Sequence, residues 1–230
     1  MTEEMENEKP ELTLRLATNA FSKYLIGTDD EVMKMVLSKI ENRQPLEQRY
    51  NLVLTEKNLR EVIKEIHEKF KILKNGISVV DLGAAPGSWS QFVSINFKNP
   101  KIVSIDLKEI EKIDGIHQIV GDFSEKHQKI KIMDYFDGKI DAVISDMAVN
   151  TTGNKSIDSI VTGELSVEAL NFSTDILKKQ GCFVSKIFMG PSFNEIMTIA
   201  KKKFKQVNVF KPPASRKDSK ESFIICKQLR

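Results

Sequence analysis

The stretch ISVVDLGAAPGSW, residues 77–89, joins a short apolar run to a glycine-interrupted turn and then to the start of a helical pattern. Such a run, bounded by turn formers, reads as a buried strand. Gly83 and Gly87 let the chain turn tightly and let backbone approach a ligand closely. Strand, glycine turn and helix in that order open a doubly wound α/β sheet, whose ligands bind beyond the carboxyl ends of the strands. The turn is neither G-x-G-x-x-G nor a phosphate-cradling loop ending in G-K-[ST]. An uncharged, small-residue turn suits a nucleoside that carries little negative charge.

Six further apolar runs follow: KIVSID (101–106), IHQIV (116–120), KIDAVIS (139–145), CFVSKIF (182–188), QVNVF (206–210) and ESFIIC (221–226). Helical patterns lie between them, notably over 89–97, 162–179 and 192–204. The alternation predicts a Rossmann-like, mostly parallel seven-stranded sheet with helices on both faces. The last two runs are joined by a polar, proline-containing loop without a helix, so they are expected to pair antiparallel at one end. Upstream, Val62, Ile63, Ile66, Phe70 and Leu73 recur at three- and four-residue steps, a helical face expected to stop at Asn75-Gly76. Residues 51–230 are thus expected to form the sheet domain. Residues 1–50, with weak helical patterns over 13–25 and 30–41, are expected to form a helical extension to which no chemistry is assigned.

Composition narrows the class. Of 230 residues, 40% are hydrophobic and 29% charged, enough to bury a core and unlike a disordered chain. No window approaches the roughly 18 apolar residues of a membrane span. The acidic start MTEEMENEKPE resembles neither a secretory signal nor a transit peptide, so a cytoplasmic protein is expected. Two cysteines, Cys182 and Cys226, exclude a disulfide framework and a four-cysteine zinc site; both read as buried thiols. His67, His117 and His127 lack metal-ligand spacing, and no metal is expected. The net charge of +3 is uneven: residues 1–50 hold ten acids against seven bases (−3), leaving +6 for 51–230. Lys201, Lys202, Lys203 and Lys205 read as a solvated face.

Acidic residues stand where the strands end. Asp106 closes KIVSID, where a carboxylate can accept hydrogen bonds from both hydroxyls of a ribose. Asp122 follows the next strand, where its oxygen can receive an adenine amino group. Either alone reads as a turn residue or helix cap. With Gly83, Gly87 and Asp81 of the glycine turn they describe an S-adenosylmethionine pocket. Asp146, in SDMAVNTTG (145–153), sits where a methyl donor would meet its acceptor. Lys186 lies inside the apolar run CFVSKIF and is costly to bury unpaired, so it should face a carboxylate or a cavity. Glu221 opens the final strand, and the three can converge on one site.

DLGAAPGSWSQ, SDMA-x-N-x-x-G, the lysine of SKIF and KPPASRKDSKES closely resemble the FtsJ/RrmJ-type RNA 2′-O-ribose methyltransferases, over about residues 63–228. The likeness is greatest to the bacterial branch that modifies a uridine of large-subunit ribosomal RNA. By position it implies cofactor contacts at Gly87, Trp89, Asp106, Asp122 and Asp146. Of the family's Lys-Asp-Lys-Glu catalytic set, the last three members fall on Asp146, Lys186 and Glu221. The first falls on Val62; Lys64, two residues on, points elsewhere around a helix. Val149 also stands where the family usually has proline.

The resemblance implies a defined division of labour. Lys186 would orient a ribose 2′-hydroxyl and accept its proton, with Asp146 and Glu221 setting its position and protonation state. Arg216 and Lys217 would hold RNA phosphates beside the site. RNA, in the large ribosomal subunit or as its free ribosomal RNA, is the expected partner, with no membrane involved. Two alternatives stay open: a lapsed relative that binds cofactor or RNA without turnover, and the same chemistry on transfer RNA or an mRNA cap.

Overall fold

The computed structural model describes residues 46–147, 155–188, 192–215 and 221–230, with side chains from Asn58 onward and, in the helix beginning at Lys155, from Gly163. The helical patterns expected over 13–25 and 30–41 lie outside the described residues, as do Arg216, Lys217 and Val149. In chain order the elements are α1 (Leu46–Phe70), β1 (Ser78–Leu82), α2 (Ser88–Asn96), β2 (Lys101–Asp106), β3 (Ile116–Val120), α3 (Lys126–Phe136) and β4 (Ile140–Ser145). Then follow α4 (Lys155–Ile176), β5 (Leu177–Phe188), α5 (Phe193–Lys203), β6 (Phe204–Phe210) and β7 (Glu221–Leu229). The strands form one seven-stranded sheet in the order β3-β2-β1-β4-β5-β7-β6.

The central strands are apolar throughout because both of their faces are covered. Val79 and Ile144 pack on one side with Val62, Ile63 and Ile66 of α1 and with Trp89, Phe92 and Val93 of α2. Val80, Val103 and Val143 pack on the other with Ile132 of α3, Leu170 and Phe172 of α4, and Ile196 of α5. β1 pairs in parallel with β2 (Leu82 opposite Ile105) and with β4 (Leu82 opposite Ser145). The strand order reverses at β1, so the carboxyl ends of β1, β2 and β4 part there and open a crevice. β7 enters antiparallel between β5 and β6, which places Glu221 opposite Phe188 and Phe223 opposite Lys186.

The helical patterns depart from expectation in three places. α1 stops at Phe70, not at Asn75-Gly76, because Lys71 adopts a left-handed conformation (φ 51°). The Phe70 carbonyl accepts from Lys227 Nζ at 3.0 Å, a cation at a helix C-terminus. Leu73 keeps the helical spacing but lies beyond the helix end, buried with Ile72. β5 begins at Leu177, opposite Ile140, so the pattern over 162–179 ends as strand, with exposed Lys178 and Lys179. α3 joins β3 to β4, where no helical pattern was singled out.

Candidate active site

The turn after β1 is fastened to the end of β2. Gly83 and Ala84 donate their N–H groups to the Ile105 carbonyl, at 2.8 and 3.2 Å. Gly83 has φ 67°, and a Cβ there would lie 2.0 Å from Met147 Cγ, so both backbone and space demand glycine. Gly87 has φ 101° at the start of α2, a conformation that strains any other residue, and its Cβ would lie 2.6 Å from Ile113 Cδ1. The crevice beyond these strands is a cavity of about 530 Å³.

Its walls come from the ends of four strands. Gly83 and Ala85 follow β1; Asp106 ends β2 and Leu107 follows it; Asp122 and Phe123 follow β3; Asp146 and Met147 follow β4. Asp106 holds two loops at once: Oδ2 accepts from Ala85 N at 2.9 Å and Oδ1 from Lys108 N at 2.8 Å. Each carboxylate oxygen keeps capacity for a further donor. Asp122 Oδ1 accepts from Ser124 N at 2.9 Å, an Asx-type turn that sets the carboxylate at the cavity wall. Glu168 of α4 adds a fourth acid to the lining.

Asp146 lines the far wall, and Lys186, itself outside the lining, pairs with it from β5. Lys186 Nζ lies 2.9 Å from Asp146 Oδ1 and donates to the Asp146 backbone carbonyl at 3.0 Å. The side chains are only 11% and 13% exposed, so the pair is largely desolvated. Burial pushes the Asp146 carboxyl above its ordinary range; Lys186 pulls it down through charge and hydrogen bonding, and the charge of Glu221 pushes it up again. The Lys186 carbonyl, beyond the last β4 residue in the register, accepts from Ser166 Oγ at 3.0 Å and from Ser185 Oγ at 3.1 Å.

The structure does not bring every expected residue to the cavity. Trp89 is 2% exposed, donates from Nε1 to the Leu59 carbonyl at 2.9 Å and packs on Phe223, so it ties α2 to α1 and stands outside the cavity lining. Gly87 backs the turn against Ile113 and is likewise outside the lining. Glu221 opens β7 and acts on Asp146 through its charge. Val62 faces inward among the residues that include Phe223, the register partner of Lys186. Lys64 points outward and pairs with Glu61 at 3.4 Å, while Arg60 donates to the Gln91 side chain on α2.

One group beneath the site escaped sequence reasoning as a titrating residue. Asp81 is 2% exposed at the end of β1. Its Oδ2 accepts from Ser90 Oγ at 2.7 Å, and that hydroxyl lies 2.6 Å from Ser104 Oγ. Burial raises this carboxyl to about 7, opposed by the Ser90 hydroxyl and aided by the charges of Asp146 and Asp106. Its place at a strand end resembles that of Asp106; only its neighbours in the folded chain tell the two apart.

Among the described residues no cluster of histidine, cysteine and carboxylate groups is arranged to hold a metal, and no helix is long and apolar enough to cross a membrane. The cavity offers carboxylates for hydroxyls and for positive charge, and Leu107, Phe123 and Met147 for a flat apolar ring. That donor set fits a cationic nucleoside.

Comparison with known proteins points the same way. "Ribosomal RNA large subunit methyltransferase E" of Pelagibacter ubique is 63% identical over 166 residues, covering 72% of this chain and 82% of the relative. The protein of that name from Rickettsia akari is 46% identical over 167 residues, covering 70% and 74%. A crystal structure from Plasmodium falciparum, assigned as a ribosomal RNA methyltransferase, superimposes with a TM-score of 0.66 at 27% identity, covering 74% of this chain and 96% of that one. The profile of the FtsJ-like methyltransferases matches residues 63–229, from α1 through β7. Sheet order, strand-end acids and sequence agree, and the chain belongs to the FtsJ-like methyltransferase family.

Proposed function

We propose that this protein transfers a methyl group from S-adenosylmethionine to a ribose 2′-hydroxyl, that of a uridine in large-subunit ribosomal RNA. The buried Lys186–Asp146 pair, whose carboxylate lines the cavity, carries the reading. The names of the relatives support the substrate class. On this reading the protein works in the cytoplasm on the large ribosomal subunit or its RNA.

When bound, S-adenosylmethionine supplies a methyl group already activated toward nucleophiles. Asp106 would take the ribose hydroxyls of the cofactor and Asp122 its adenine amino group, with Leu107 and Phe123 beside the ring. The protein's main task is to align the acceptor hydroxyl, since positioning supplies much of the barrier reduction in such transfers. Lys186 Nζ would receive the hydroxyl proton, and a lysine does so only as the neutral amine. Asp146 would hold Lys186 in place through its carboxylate and its backbone carbonyl, at 2.9 and 3.0 Å. Glu221 would tune the pair from β7. Arg216 and Lys217, outside the described residues, would hold the RNA backbone.

A second reading, binding without turnover, is favoured by one observation: the position of the family's first lysine is Val62, buried among apolar side chains. One experiment decides between them. Labelled S-adenosylmethionine is incubated with large subunits lacking native methylation, free ribosomal RNA and transfer RNA, with Lys186→Ala as control. A 2′-O-methyluridine in large-subunit RNA that vanishes in the control is the expected result. Cofactor binding with no label on any acceptor would overturn the proposal in favour of the second reading.

A further inference from the structure

The segment 107–115 between β2 and β3 contains neither helix nor strand. Through Leu107 and Lys108 it forms one wall of the cofactor cavity. On its other side a second cavity of about 550 Å³ opens between Lys108–Lys112 and Gln118–Val120. A loop with open space on two sides lacks the packing that normally fixes backbone, so its position must come from specific ties.

Those ties come from in front and from behind. In front, Asp106 Oδ1 accepts from Lys108 N, and Ile113 and Ile110 press on Gly87, at 2.6 and 3.3 Å from where a Cβ would stand. Behind, the carboxamide of Gln118 on β3 spans the gap: Oε1 accepts from Ile113 N at 3.0 Å, and Nε2 donates to the Glu111 carbonyl at 2.9 Å. One side chain thus satisfies a donor and an acceptor two residues apart in the loop, and the residue it holds, Ile113, is the one seated on the glycine turn.

We propose that Gln118 is a positioning residue for the cofactor: its carboxamide straps the 107–115 loop against the Gly87 turn and keeps that wall of the cavity formed before the ligand arrives. This rests on the reading of the cavity as an S-adenosylmethionine site. A preformed wall spares the ligand the cost of ordering the loop, so the strap acts on affinity and leaves the chemical step alone. Glutamate at this position keeps the acceptor for Ile113 N but sets a second acceptor against the Glu111 carbonyl, so half of the strap is lost.

The test compares wild type, Gln118→Ala and Gln118→Glu by calorimetric titration of S-adenosylhomocysteine, amide hydrogen exchange of the ligand-free protein, and kcat at saturating S-adenosylmethionine. Gln118→Ala is expected to weaken binding about tenfold, the loss of two modest hydrogen bonds, with Gln118→Glu between it and wild type. Exchange should quicken over 107–115 and stay unchanged in β1 and β4, with kcat at saturation within about twofold, as expected for an interaction not confined to the transition state. Unchanged affinity in both variants, or a loss confined to kcat, would overturn the strap. Failure of wild type itself to bind S-adenosylhomocysteine would overturn the cofactor reading instead. Should Gln118→Ala fail to fold, Gln118→Glu carries the same comparison.

Discussion

Lys186 Nζ reaches both the side chain and the backbone carbonyl of Asp146, at 2.9 and 3.0 Å, and so ties the cavity-lining residue after β4 to the carboxyl end of β5. The carbonyl contact fixes where the ammonium sits whatever the charge on the carboxylate. The carboxylate contact adds a charge partner whose own carboxyl is pushed upward by burial and pulled down by Lys186. One residue thus holds the ammonium through two different atoms.

Lys186→Met should remove methyl transfer, by about 100-fold or more if the lysine handles the hydroxyl proton, with S-adenosylhomocysteine still bound. It should also change the pH dependence of stability. Without Lys186, burial and Glu221 both push the Asp146 carboxyl upward, and nothing named in its surroundings offsets them. An acid raised in the fold contributes stability at low pH that is lost as pH rises through its folded pKa. The melting-temperature deficit of the variant should therefore be small at acid pH and grow toward alkaline pH. A deficit that shrinks with rising pH would contradict the pairing.

Asp81 makes a second pH-linked prediction. Its carboxyl is raised from the ordinary 3.8 to about 7. Between those values the unfolded chain gives up the proton while the fold keeps it, so stability falls by up to about 4 kcal/mol as pH rises across the window. Asp81→Asn supplies a neutral side chain of the same shape, able to accept from Ser90 Oγ. Its melting temperature should be flatter than wild type from about pH 4 to pH 7, and higher above it. Parallel curves would show that Asp81 titrates normally.

Strand ends were legible in the sequence because an apolar run bounded by turn formers advertises both its length and its end. β2 and β3 match their apolar runs, KIVSID and IHQIV, and Asp106 and Asp122 follow directly at the cavity wall. The antiparallel β6–β7 pair was legible from a loop without a helix. What failed was whatever depends on a neighbour distant in sequence. Leu73 continues the period of α1 although Lys71 has already ended it. The start of β5 is polar because Lys178 and Lys179 point to solvent while Leu177 pairs with Ile140. α3 exposes Ile130 at 51% and buries Gln128, which blurs its apolar stripe.

Trp89 illustrates the same limit and can be tested directly. Its place in DLGAAPGSW suggested a cofactor contact, yet its indole is spent on Leu59 and Phe223. Trp89→Phe keeps an aromatic ring and loses the hydrogen bond to the Leu59 carbonyl, so it should cost about 1–2 kcal/mol of stability. Affinity for S-adenosylhomocysteine should stay within about twofold, since the loss falls outside the binding contacts. A large loss of affinity at unchanged stability would return Trp89 to the cofactor.

Asp141 holds the opposite end of the sheet and predicts the acid limb of stability. Burial alone would raise its carboxyl, but the Ser78 hydroxyl at 2.7 Å, the Ser78 N–H at 3.1 Å, and Lys178 and Lys74, each at 3.0 Å, hold it well below the usual carboxylate range. A depressed acid contributes stability above its unfolded pKa that is lost as pH falls through its folded pKa. Both lysines are largely exposed, so solvent screens them and Ser78 supplies most of the stabilisation. Asp141→Ala, which leaves the Ser78 N–H without this acceptor, should cost about 3 kcal/mol, and Asp141→Asn, which keeps one, about 1 kcal/mol. Denaturant melts at neutral pH should show that order. Below about pH 4 the gap between wild type and Asp141→Asn should close, because the unfolded wild-type chain takes up a proton that the folded carboxylate still refuses. A gap that stays constant into acid would mean that the charge of Asp141 contributes nothing and that Ser78 alone joins the start of β1 to β4.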